Sequence, residues 1–193
     1  MYLDIKSSLD KPLKEVLRAE DKFILTHWDN RPGEQYEGIG IYSELGSLPR
    51  GEYIQWCIAS VAGHPFLRAV ILQMLRNIDE YTPFRHGAGL WGVLRTTGPV
   101  MYTKVIEAMR PTLVEGQDYR LLDKPQEIGL RYSIYDTAGV YGHKKALKAN
   151  YNKAYTPIIV TPDRPIYAKC AKYYLFARLA IRVLGDKLAA RFK

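Results

Sequence analysis

Cysteine is scarce: the 193 residues hold two, Cys57 and Cys170. Two such residues make no disulfide framework, and neither lies in a C-x-x-C or Cys/His spacing that would hold zinc. Both read as reduced thiols in core or half-buried positions. No apolar run reaches the roughly 18 residues that a membrane-spanning helix needs. A charged residue, Asp4, arrives early and no apolar stretch follows it, so no secretory signal is expected. Internal repeats and low-complexity segments are also missing. Acidic residues are the minority, 20 against 28 Lys and Arg, for a net charge of +8. That excess is local. Residues 164–193 carry eight basic residues and one acid, Asp186, a local charge of +7, which leaves 20 basic against 19 acidic residues elsewhere. A basic footprint spread over the whole surface is therefore excluded. No motif of the common nucleic-acid folds occurs, and no nucleic-acid partner is expected.

What is present suits one domain with a sizeable core. Hydrophobic residues make up 47% and charged residues 25%, as in ordinary globular domains. Tyrosine is plentiful at 15. Its ring stacks while its hydroxyl bonds, so it serves both sugar sites and half-buried core positions.

Short strands are expected over residues 2–5 and 22–26, with a helical turn or two over 12–17 between them. Residues 27–52 form a long connection punctuated by Gly33, Gly38, Gly40, Gly46, Gly51, Pro32 and Pro49. Loops of that length are more often functional than incidental. Helices are expected over 53–62 and 66–79. In the second, Leu67, Val70, Ile71, Met74, Leu75 and Ile78 recur at helical spacing and are expected to face the core. Residues 80–98 read as a second Gly-rich connection. Pro99 opens a helix that runs to about Met109 and stops at Pro111. A strand is expected over 128–135, a polar loop over 136–156, a short strand over 157–160 and a last helix from Pro165. The alternation of strands and helices argues for an α/β class. Two segments are expected: a catalytic region over 1–163 and a basic helix over 164–193.

Three stretches carry chemistry. Tyr2-Leu3-Asp4-Ile5-Lys6 reads as a strand delivering an aspartate to its end, where a lone Asp can equally cap a turn. Gln55-Trp56-Cys57-Ile58-Ala59-Ser60 runs into Gly63-His64-Pro65. Thr96-Thr97-Gly98-Pro99 places hydroxyls and backbone N–H groups at a helix start, which is an anion-binding end or simply an N-cap at Thr97. Together they resemble the glycosyltransferases that carry a DXD sugar-binding motif, a family that includes fungal Golgi mannosyltransferases and bacterial capsular polysaccharide enzymes. The resemblance covers residues 1 to about 160 and is most specific before residue 110. It implies a GT-A-like fold and transfer of a hexose from a nucleotide sugar to a glycan or lipid-linked acceptor. In the family the YLD segment lies mid-fold, after a Gly-Gly pair. Its place at residue 2 here implies the second half of such an enzyme, lacking the N-terminal nucleotide-binding half. A non-catalytic truncated remnant is the first alternative, and a membrane- or nucleic-acid-binding module using the basic tail is the second.

In the family the two aspartates of DXD face a divalent cation, Mn²⁺ or Mg²⁺, and the donor diphosphate, whose developing charge must be neutralised. Asp4 matches the first aspartate, but Lys6 stands at the second position. An ammonium offers no oxygen to a hard cation. Either Asp4 binds metal with Asp10 or a distant histidine such as His143, or Lys6 replaces the metal with its own charge, or the site is inactive. The site reading thus places Asp4, Lys6 and His143 at the donor diphosphate. Trp28, Asp29 and Asn30, just beyond the strand at 22–26, are candidates for a sugar or acceptor, with an Asx-turn around a core Trp28 as the other reading. Thr97 and Gly98 join them from the helix start. His64 reads first as a structural histidine bonded to backbone. The basic segment 164–193 is a candidate contact for a membrane surface carrying a lipid-linked acceptor. The resemblance puts a bacterial enzyme at the cytoplasmic face of the membrane and a eukaryotic one in the Golgi.

Overall fold

A computed structural model of the chain describes residues 1–133 and 157–159, with residues 170, 173 and 177 of the C-terminal segment. The chain divides into two compact units, one of residues 1–74 and 98–149, the other of residues 75–97 and 150–193. The boundary expected at 163/164 lies outside the described residues.

The first unit is built on a four-stranded mixed sheet. Its strands are β1 (Tyr2–Leu3), β3 (Phe23–Thr26), β4 (Cys57–Ser60) and β5 (Arg120–Leu122), in the order β1-β4-β3-β5. β4 runs antiparallel to both neighbours, while β3 and β5 are parallel. A second pair joins β2 (Ser8–Leu9) to β6 (Leu130–Arg131), antiparallel. Helix α1 (Leu13–Val16) is a single turn. The fold is mixed α/β.

β3 explains the two-sided packing. Its run Phe-Ile-Leu-Thr is buried throughout, as in strands covered on both faces. Phe23 and Leu25 enter one core with Tyr53, Phe66, Val70, Met101, Tyr102, Ile106 and Tyr119. Ile24 enters another with Trp28, Tyr36, Trp56, Cys57, Ile128 and Leu130. The period of two sends neighbours to opposite faces. Helix α2 (Pro65–Asp79) and helix α5 (Pro99–Met109) supply the first core.

Several expectations need correction. The helix expected over 53–62 is strand β4, with the alternating burial of a pleated strand. Its neighbours β1 and β3 take its backbone hydrogen bonds on both edges, which outweighs local helix propensity. In α2 the inward face is Phe66, Leu67, Val70 and Met74. Ile71, Leu72, Leu75 and Ile78 are 42%, 45%, 51% and 37% exposed. Apolar residues cover too much of this helix for the pattern to choose a face. Phe66 chooses it, packed edge-on to Phe23 with ring centroids 5.4 Å apart. The expected strand over 128–135 shortens to β6. Cys57 is buried as expected, but Cys170 is exposed.

The second unit corrects the Gly-rich connection expected over 80–98. It contains two helices, α3 (Pro83–His86) and α4 (Gly89–Thr96). Thr82 caps α3 by accepting from the Arg85 N–H at 3.1 Å, and Pro83 occupies its first turn. Gly87 and Gly89, at φ +86° and +53°, make the break between the helices. Asn77 ties the end of α2 to α4 by donating to the carbonyls of Arg95 and Thr96 at 3.3 and 3.1 Å. The strand expected over 157–160 is a bend at Ile158 and Ile159. Of the segment expected as a last helix, Cys170, Tyr173 and Ala177 are helical, and the other residues lie outside the described ones.

Candidate functional site

Asp4 directly follows β1, which spans two residues rather than the expected 2–5, and the neighbouring segment fixes its position. The Asp4 N–H donates to the Trp56 carbonyl at 2.8 Å, and the Ser7 N–H returns to the Asp4 carbonyl at 2.8 Å, closing a turn. Within that turn the Lys6 ammonium hydrogen-bonds the Asp4 carboxylate. The two side chains are 17% and 28% exposed, so the pair is partly buried. Lys6 also lies 5.0 Å above the Tyr132 ring. Ser7 locks the turn to the same residue by donating its hydroxyl to the Tyr132 carbonyl at 2.9 Å.

These residues do not fit a divalent cation. The Asp4 carboxylate is engaged by an ammonium, and Asp10 is held by Arg131 through Nε and Nη2 at 3.1 and 2.7 Å. Among the described residues no group of three or more His, Cys, Asp or Glu side chains converges on one point. His143 and the polar loop expected over 136–156 lie outside the described residues.

The loop after β3 is organised around buried groups. Trp28 is 4% exposed; its indole donates to Glu52 Oε1 at 2.8 Å, and it packs against Tyr36, Trp56 and Tyr132 at 4.8–5.9 Å. This is the core role of the two read from the sequence, and no stacking face is left for a sugar. Asn30 clamps the loop by donating to the carbonyls of Ile39 and Arg50 at 2.7 and 3.1 Å. Asp29 is 6% exposed. Its Oδ2 accepts from Gln126 at 2.9 Å, while Oδ1 is buried without a partner among the described residues. Burial raises the Asp29 carboxyl above its ordinary value against these hydrogen bonds.

Some residues that matter here gave no motif. Arg50 reaches Asp123, Asn30 and the Trp28 carbonyl, fastening the loop to the carboxyl ends of β3 and β5. Partial burial alone would raise the Asp123 carboxyl, but hydrogen bonds from Arg31 and Arg50 hold it below its ordinary value. Glu52 is 5% exposed, and burial raises its carboxyl to about 7 despite the bond from Trp28. Its Oε2 has no partner among the described residues. Beside it, burial lowers His27 to about 4, with Arg50 adding to the effect. Tyr53, Glu107 and Arg110 form a further hydrogen-bonded cluster. Apart from the i,i+3 pair of Glu107 and Arg110, these contacts join distant parts of the chain, so no short spacing announces them.

An open cleft of about 270 Å³ lies alongside, lined by Asp10, Gln35, Tyr36, Gln126, Leu130 and Arg131. Of these residues only Asp10 belongs to a candidate site in the sequence, as a metal ligand beside Asp4.

His64 is structural, as first read. Its Nδ1 accepts from the Phe66 N–H at 3.2 Å and its Nε2 faces the Asp118 carbonyl at 3.0 Å, so Nε2 carries the proton. Burial lowers it, keeping the ring neutral. Thr97 ends α4, with its N–H on the Val93 carbonyl at 3.1 Å, and the N-cap of α5 is Gly98. The expected cap at Thr97 is thus one residue early. Compared with known families, with curated proteins and with solved structures, the chain matches none.

Proposed function

We propose that this chain belongs to a sugar-nucleotide-dependent hexosyltransferase of GT-A-like fold, acting on a glycan or lipid-linked acceptor. One observation carries the reading beyond the motifs. The segments that hold two of them, remote in sequence, pair as neighbouring strands, with Tyr2 opposite Ile58 and Leu3 opposite Cys57. That pairing sets Asp4 and Lys6 just past a strand end with partly exposed charge, where a donor diphosphate can be met. The basic segment 164–193 is proposed to meet the membrane surface that carries the acceptor.

The reaction breaks the bond between the hexose anomeric carbon and the donor diphosphate. It forms a bond from that carbon to an acceptor hydroxyl oxygen, whose proton passes to water, while the electron pair of the broken bond leaves with the diphosphate. Negative charge grows on the diphosphate as it leaves. In this reading Lys6 supplies the opposing charge and Asp4 orients Lys6. A preplaced charge is effective because it needs no reorganisation when the reaction occurs.

The test is hydrolysis of UDP-, GDP- and ADP-hexoses by the purified chain, with Mn²⁺ and with chelator. Turnover of one donor that survives chelation and drops about 100-fold or more in Lys6→Ala supports the proposal. Turnover lost on chelation and unchanged in Lys6→Ala removes Lys6 from this role. No turnover and no nucleotide binding would favour a non-catalytic chain.

A further inference from the structure

We infer that the cleft between β2–β6 and the start of the 27–52 loop is a carbohydrate subsite that takes one pyranose ring of the acceptor. The assignment to the acceptor rests on the transferase reading above; the carbohydrate class rests on the cleft itself.

The lining selects hydroxyl donors. Gln126 spends its amide N–H on Asp29 Oδ2 at 2.9 Å, and Gln35 spends its own on the Tyr36 hydroxyl at 3.2 Å. Arg131 grips Asp10 through one carboxylate oxygen, Oδ2. One N–H of each glutamine amide is thus engaged, while Gln35 Oε1, Gln126 Oε1 and Asp10 Oδ1 accept no hydrogen bond among the described residues. Three fixed acceptors suit a ring that presents hydroxyls. The one guanidinium of the lining, Arg131, is paired with Asp10, so the cleft offers a phosphate no net positive charge. Leu130 and Tyr36, both buried, give the cleft an apolar floor. At about 270 Å³ it falls just below the usual size of small-molecule pockets, roughly 300–1,000 Å³, which fits one ring and not an oligosaccharide.

Its placement suits an acceptor. Tyr132 stands between the two sites, with its ring 5.0 Å from the Lys6 ammonium and 5.8 Å from the Tyr36 ring. The β2–β6 pairing fixes Asp10 and Arg131 beside it. A sugar in the cleft therefore lies across one aromatic ring from the charge assigned to the donor. Asp29 acts as a positioning residue: it is buried, holds Gln126 and keeps that amide oxygen turned away from itself.

The test titrates the ¹⁵N-labelled full chain with methyl α-glucopyranoside, methyl α-mannopyranoside and methyl α-galactopyranoside. Inorganic pyrophosphate is the anion control. The expected result is that at least one glycoside shifts the side-chain amide signals of Gln35 and Gln126. Affinity should fall about 10-fold in Gln126→Leu, the cost of one hydrogen bond, and should be unchanged in Lys6→Ala. Gln35→Ala repeats the measurement should Gln126→Leu fail to fold, which its own spectrum reports. Shifts absent for all three glycosides, or produced at these amides by pyrophosphate, would overturn the assignment. No nucleotide is needed, so a cleft that fails leaves donor hydrolysis standing. A chain that binds glycoside but turns over no donor keeps the cleft and loses the transferase reading.

Discussion

Glu52 is an acid in surroundings that disfavour its charged form. It is buried, receives one hydrogen bond from Trp28, and its carboxyl is raised to about 7. The folded state therefore holds this proton more tightly than the unfolded chain. Its contribution to stability is complete below about 4.5 and is lost as pH rises to about 7. The loss is on the order of 3 kcal/mol. His27 runs the opposite way: its folded value is lowered from 6.5 to about 4, so its contribution is present above 6.5 and lost as pH falls to 4. Between about 4.5 and 6.5 the two slopes oppose. Glu52→Gln is expected to raise stability at pH 8 by about 2–3 kcal/mol. It should also expose the His27 slope, so that the variant weakens steadily from pH 6.5 to 4. Urea unfolding across this range checks it; a variant that follows the wild type at pH 8 would show that Glu52 is ionised without cost.

At the scale of elements, the 27–52 loop is held by its glycines as much as by its polar clamps. Gly51 sits at φ +63°, and a Cβ there would lie 2.3 Å from the Gly40 carbonyl oxygen. Gly38 sits at φ +73° with open space around it. Gly51→Ala should therefore cost about 3 kcal/mol or more, strain plus clash, and Gly38→Ala only about 1 kcal/mol, strain alone. Equal losses in chemical denaturation would mean that the loop adjusts at Gly40. Helix α2 gives a second contrast. Phe66→Ala removes a fully buried ring and should cost about 3–5 kcal/mol. Leu75→Gln, at a position 51% exposed, should change stability by about 0.5 kcal/mol or less. A large loss at Leu75 would restore the core role that its helical spacing suggests.

The whole molecule adds two things that no element holds alone. One is the sheet covered on both faces, with α2 and α5 against one side and the Trp–Tyr cluster against the other. The other is the uneven charge, +7 of the +8 in residues 164–193. Anionic lipid attracts juxtaposed basic residues by about 1 kcal/mol each, screened by salt. The chain is expected to float with phosphatidylglycerol vesicles at low salt and to lose this on removal of 164–193. Flotation that survives the truncation would remove the membrane role from that segment.

The sequence by itself determined the parts that rest on local rules. The apolar run of β3, the proline-opened α2 and α5, the strand leading into Asp4 and the His64 ring bonded to the Phe66 N–H follow from neighbours within a few residues. The Thr82-Pro83 start of α3 was also written there, though the glycines around it suggested a loop. Only the tertiary structure decided the rest. β4 became a strand because two other strands bond its edges, and α2 turned Phe66 inward because Phe23 was there to meet it. Trp28 and Asn30 looked like ligand groups beyond a strand end, but the Glu52 carboxyl and two distant carbonyls use their donors. The cleft of Gln35, Gln126 and Arg131 gathers residues nearly 100 positions apart, each ordinary alone. Periodicity and caps are properties of one segment. Burial and charge pairing belong to two or more, and they exist only once the chain has closed.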